Sequence, residues 1–226
     1  MDKTTMRFLF GDRELVLTAG DVLSAKVDAI ANPAGNMLDH QAALAQRICQ
    51  QAGSQIECES AQLIREYGAI DAGMAVYTSA GDLPFKAIIH AVVPEQNVAD
   101  AGRLLEQAIS RSLQLCDMNE WYSLAIPVVD MEAAGLTLAD VAQAYFRAIT
   151  RFWDARHDCA LEKVCVYVTP EQFRAFFDAF REEGLTEETE AGPIAADNGE
   201  ESIGEIDLSE ADIADLDDSD INNWFK

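Results

Sequence analysis

The sequence predicts an α/β protein, a three-layer α/β/α sandwich around a mixed, mainly parallel sheet, followed by a disordered acidic C-terminal tail. Three observations predict it. Strand-length apolar runs alternate with helically periodic stretches through the first 182 residues. One run, SLAIPVV at 123–129, is apolar almost throughout, as expected of a strand covered on both faces. The composition then changes: residues 183–226 carry fifteen Asp and Glu against one Lys, which is −14 of the chain's net −24.

Each element follows from its own pattern. MRFLF (6–10) and ELVLTAG (14–20) read as a hairpin across Gly11-Asp12, and VDAIAN (27–32) as a buried strand. Residues 41–52 and 54–67 read as helices, with Leu44, Ile48 and Cys49 on one stripe. MAVYTS (74–79) and KAIIHAVV (86–93) are strands, and 99–117 is a helix with Leu104, Leu105, Ala108 and Leu115 inward. After the strand at 123–129 come a helix at 138–155, the strand LEKVCVYV (161–168) and a helix opened by Pro170 with Thr169 as its N-cap. These make one domain, 1–182. Beyond it, 183–205 reads as a charged linker with few large apolar residues. Residues 206–226 differ, because Ile206, Leu208, Ile213, Leu216, Ile221, Trp224 and Phe225 punctuate the acids. That segment is either a solvated tail or a short docking peptide for a protein partner.

Composition also excludes. The 182 residues before the tail still carry 25 acidic against 15 basic side chains, so no basic face is offered to nucleic acid. No run of 18 apolar residues exists, so no membrane span is expected, and the N-terminus lacks the pattern of a signal peptide. Five cysteines without a C-x-x-C pair argue against a disulfide frame or a zinc site. They read as small buried residues in a reducing, cytoplasmic setting. His40, His90 and His157 are far apart, no metal or cofactor is expected, and His90 reads as a hydrogen-bonded core residue.

Several segments, in order, resemble a macro domain. Gly20-Asp21-Val22, Val27-Asp28-Ala29-Ile30-Ala31-Asn32 and Asn36-Met37-Leu38-Asp39-His40 look like that family's opening. The likeness continues through Cys58-Glu59, Gly73–Val76, Gly81–Pro84, Ile88–Pro94, Ile126-Pro127 and Gly135, and covers roughly residues 5 to 180. It implies binding of ADP-ribose, free or on ADP-ribosylated protein, in a cleft at the strand ends. In some members it also implies hydrolysis of ADP-ribosyl or O-acetyl-ADP-ribose linkages.

Carried over position by position, the resemblance makes Asp21, with Val22 beside it, the contact for adenine, and Asn32 a loop tie or a contact for the distal ribose. The family's second asparagine falls on Gly35, with Asn36 adjacent as a substitute. Its first glycine run falls on Gln41-Ala42-Ala43, whose side chains crowd the ligand and extend the following helix back towards Asp39 as N-cap. Its second phosphate loop falls on Asp130–Thr137, where Asp130 and Glu132 replace glycines, Gly135 remains and Leu136 replaces a ring. Carboxylates there repel a diphosphate. Tyr167 or Phe173 offers a ring for stacking. The hydrolytic branch's aspartate falls on Ala45, so no catalytic residue is assigned. The expectation is a divergent binding module. Its alternatives are a vestigial cleft with a protein-binding tail, and a hydrolase by analogy.

Overall fold

In the computed structural model, the residues described are 4–94, 96, 98–186 and 204–205. Strands β1 (Thr5–Phe10), β2 (Arg13–Ala19), β3 (Ala29–Ala34), β4 (Ala75–Thr78), β5 (Ala87–Val92), β6 (Ser123–Pro127) and β7 (Lys163–Val168) lie in the order β4-β5-β3-β6-β7-β2-β1. The pairs β3/β5, β3/β6, β6/β7 and β2/β7 are parallel, and β1/β2 and β4/β5 are antiparallel. The mixed, mainly parallel sheet is therefore as expected. Helices α1 (Ala43–Ala52), α2 (Gln55–Tyr67), α3 (Ala101–Met118), α4 (Leu138–Asp154) and α5 (Pro170–Thr186) cover it.

Strand alternation produces the three layers. Leu15, Leu17, Ala29, Ala31, Leu124, Ile126, Val164 and Val166 face one way, into a core with Leu105, Ile109, Ile149, Phe176 and Phe180 of α3, α4 and α5. Val16, Ile30, Ile88, Ala125, Cys165 and Tyr167 face the other way, against Ile48 and Ala52 of α1 and Ile56 of α2. By the same parity Asn32 and His90 fall on the α1–α2 face, two residues beyond Ile30 and Ile88.

Local chemistry fixes the helix starts. Thr137 and Asp140 form a capping box on α4, and Thr169 and Gln172 exchange the equivalent bonds on α5. Arg13 donates to the carbonyls of Trp153, Arg156 and His157, so one guanidinium ties β2 to the end of α4. Two expectations need correction. The first helix does not start from Asp39: its N-cap is Ala42, for reasons given below. Nor are all the cysteines buried, because Cys58 is exposed on α2. The composition break at 183 falls inside α5, which runs to Thr186. Of the remaining tail, only Gly204–Glu205 is described, as a two-residue strand parallel to Met6-Arg7 at the β1 edge. The proposed docking segment 206–226 lies outside the described residues. Among the described residues no helix is long and apolar enough to cross a membrane, and no cluster of His, Cys, Asp and Glu could hold a metal.

Candidate ligand cleft

Four parallel strands, β2, β7, β6 and β3, end on one edge of the sheet. Ligands of open α/β sheets bind at such carboxyl ends. In spatial order the edge presents Asp21 after β2, Tyr167 in β7, the 128–136 loop after β6, and Asn32 in β3. Three strand spacings, about 14 Å, separate the first from the last.

At the β3 end the polar groups form one chain of hydrogen bonds. Asn32 is 1% exposed and His90 fully buried. Asn32 Nδ2 lies 3.3 Å from His90 Nδ1, and His90 Nε2 lies 3.0 Å from Thr78 Oγ1. The Thr78 hydroxyl donates to the Ser79 carbonyl at 3.1 Å. Thr78 therefore accepts from His90 Nε2–H, which leaves the Nδ1 lone pair to accept from the Asn32 amide. This reading fixes both the tautomer and the amide orientation. Burial, with the neighbouring His40 next in weight, pushes the His90 imidazole down to about 3, so the ring is neutral. It is the hydrogen-bonded core histidine the sequence suggested.

The consequence falls on the other amide atom. Asn32 Oδ1 is buried and has no hydrogen-bond partner among the described residues. Asn32 lines a hollow of about 120 Å³ with Gly35, Leu38, Asp39, His40 and Gln41. A buried amide oxygen without a donor costs roughly 1–3 kcal/mol.

The loop that closes this hollow explains where α1 starts. Leu38 and His40 both take positive φ, 49° and 56°. Left-handed backbone costs a non-glycine residue roughly 1–2 kcal/mol. Packing compensates: Leu38 is buried against Ile70 and Val92, and His40 Nε2 meets the buried Ser60 hydroxyl at 3.0 Å while its ring stands edge-on to His90. Two left-handed residues interrupt any helix from Asp39, whose carboxylate instead accepts from Gln41 N–H at 3.2 Å. The conformational demand thus sits on Leu38 and His40, not on Gln41-Ala42-Ala43. Partial burial holds the His40 imidazole below its ordinary value, against the pull of Glu57 and Asp39.

The other predicted residues are placed as follows. Asp21 caps the single turn Val22–Ser24 through Leu23 N–H, and its other oxygen lies 2.5 Å from Arg47 Nη2 of α1. Val22 is buried in the α1-side core. Tyr167 is buried in the same core with its ring beside Gly20, and burial raises its hydroxyl to about 12. Phe173 is wholly buried. Gln41 lines the Asn32 hollow, whereas Asn36 is exposed and does not. Asp130, Glu132, Gly135 and Leu136 line a separate hollow of about 560 Å³ at the N-termini of α4 and α5. Asp130 is exposed and accepts from Glu132 N–H, and Gly135 takes φ 82° at the turn into Leu136. Ala45 is buried. Sequence reasoning gave no site role to His40, Ser60, Thr78 or Arg47. His40, on the ligand-loop side of α1, was the one with a local signal. The others join the site only through tertiary contacts.

This fold and edge define a macro domain, and the chain belongs to that family: the Macro domain profile matches residues 31–145. Among its relatives, an uncharacterised protein of Pyrobaculum aerophilum is 30% identical over 78% of this chain and 96% of its own length. An O-acetyl-ADP-ribose deacetylase of Klebsiella pneumoniae is 32% identical over 59% of this chain and 77% of its own length. The human protein mono-ADP-ribosyltransferase PARP14 is 28% identical over 74% of this chain, which spans only 10% of that protein. The solved Oceanobacillus iheyensis macrodomain with ADP superposes with a TM-score of 0.75, covering 82% of this chain and all of that one at 19% identity. The Trypanosoma brucei macrodomain in complex with ADP-ribose superposes at 0.64, covering 73% and 68% at 19% identity.

Proposed function

We propose that this chain is a divergent macro-domain binding module for ADP-ribose or a related nucleotide, with weakened affinity for the diphosphate. The observation that carries this reading is Asn32, whose buried Oδ1 has no donor among the described residues and whose side chain lies at the edge of a ribose-sized hollow that the residue lines. A ribose hydroxyl supplies that donor. With the terminal ribose at Asn32, an extended nucleotide runs along the strand ends towards Asp21, whose carboxylate takes the adenine amine once Arg47 yields. Two features support weakened affinity. Asp130 and Glu132 are carboxylates where a diphosphate needs amide donors, and Arg47 competes for Asp21. Binding without hydrolysis is favoured because Ala45 presents only a buried methyl where the family's hydrolytic branch has a carboxylate.

Calorimetric titration with ADP-ribose tests the reading. Saturable binding is expected, and Asn32→Ala is expected to weaken it about tenfold, the loss of one buried hydrogen bond. Absence of heat and of any thermal shift at millimolar ligand would refute it.

A further inference from the structure

The hollow at Asn32 does not end at the 37–40 loop. Leu38, Asp39 and His40 form its outer wall and also line a second hollow, of about 350 Å³, between that loop and α2. Glu57, Ala61 and Ile64 form its far side, spaced by four and three residues on one face of α2. The near side is Met37, half exposed.

Position and chemistry together suggest an occupant. The second hollow shares Leu38, Asp39 and His40 with the hollow at Asn32, so it adjoins the place where the reading above puts the terminal ribose. A ligand that ends at its terminal ribose fills the 120 Å³ hollow and leaves the 350 Å³ one unused. A group attached to that ribose has a direct route past His40 into it. The second hollow has an apolar floor, Leu38, Ala61 and Ile64, and two exposed carboxylates, Asp39 and Glu57. Among the described residues no lysine or arginine lines it. His40 is held towards its neutral form and does not offset the two acids.

We propose that this second hollow seats the polypeptide bearing an ADP-ribosyl group, and that the preferred polypeptide is basic next to the modified residue. The proposal rests on the nucleotide reading above and adds the class of carrier. Lysine or arginine stems cover Met37 and Ile64 while their charges meet Asp39 and Glu57.

The test uses the full chain and three fluorescent probes: ADP-ribose alone, and two peptides joined to ADP-ribose by a hydrolysis-resistant linkage, one flanked by lysines and one by glutamates. The lysine peptide is expected to bind about fivefold or more tighter than the glutamate peptide at low salt, with the gap closing as salt rises. Glu57→Gln, at a residue that lines the second hollow and not the first, is expected to reduce that preference about threefold and leave the affinity for ADP-ribose alone unchanged. Equal affinity for the two peptides would overturn the inference and leave the nucleotide reading standing. Failure of all three probes to bind would remove both. A preference unchanged in Glu57→Gln would show that the charge is read elsewhere, and would overturn this assignment.

Discussion

The two ends of the cleft differ in what supports them. At β3, Asn32, His90, Thr78 and the left-handed His40 interlock: the first three are almost wholly buried, and each polar orientation is fixed by the next. At β6, Asp130 and Glu132 stand exposed on a loop closed by a short turn and Gly135. A substitution at the first end leaves a buried group unpaired, whereas one at the second changes only the field above a hollow. That contrast makes the β3 end a scaffold, whereas the β6 end is a surface loop.

The pH dependence of stability gives the largest expected effect. His90 is near 3 in the fold against about 6.5 unfolded, so below pH 6.5 the unfolded chain takes up a proton that the native state refuses. Its contribution is complete above pH 6.5 and is lost as pH falls towards 3, on the order of 5 kcal/mol in all, with His40 acting in the same direction. Urea titrations from pH 7 to 4 should show this decline, and a flat profile would mean that the β3 end is not sealed.

Next in size is a pair of truncations. His90→Ala is expected to cost about 3 kcal/mol at pH 7, through a cavity and the orphaned Asn32 and Thr78 groups, while Glu132→Ala should stay within about 0.5 kcal/mol. Thermal melts of the two variants compare the ends directly. Equal losses would break the contrast.

A smaller effect is expected in affinity. Asp130→Asn with Glu132→Gln should tighten ADP-ribose about tenfold at low ionic strength, with the gain fading in high salt. No gain would place those carboxylates away from the diphosphate. The smallest concerns Arg47→Ala. Its pair with Asp21 is about half exposed, and such pairs are worth 0–1 kcal/mol, so adenine nucleotides should gain about threefold or less. A loss instead would make Arg47 a ligand contact.

The sheet and helices were legible because apolar period and cap residues are local properties. MRFLF, SLAIPVV and Thr169-Pro170 each carry their own instruction, and strand ends moved by only a few residues. Much less of the site could be read this way. Asn32 and Gln41 line one hollow and Asp130, Glu132, Gly135 and Leu136 another, while Asn36 lines neither and Val22 is in the core, and the partners are distant: Arg47 meets Asp21 across 26 positions, and His90 meets Asn32 across 58. Sequence reasoning weighed the glycine positions by residue type and expected Gln41-Ala42-Ala43 to crowd the ligand and extend the helix back to Asp39. The strained backbone is at Leu38 and His40, where burial of one side chain and the Ser60 bond of the other offset its cost.

By itself the sequence determined the α/β alternation, the family resemblance carried by its ordered segments, the strong negative charge and its concentration after residue 183. Only the tertiary structure decided which Asn32 atom is left wanting a donor, that Asp21 is already paired, and that Asp130 and Glu132 line a hollow separate from that of Asn32. The reason is physical. Periodicity and composition act over neighbouring residues, while hydrogen-bond direction and shared burial are settled between strands and helices that meet only when the chain is folded.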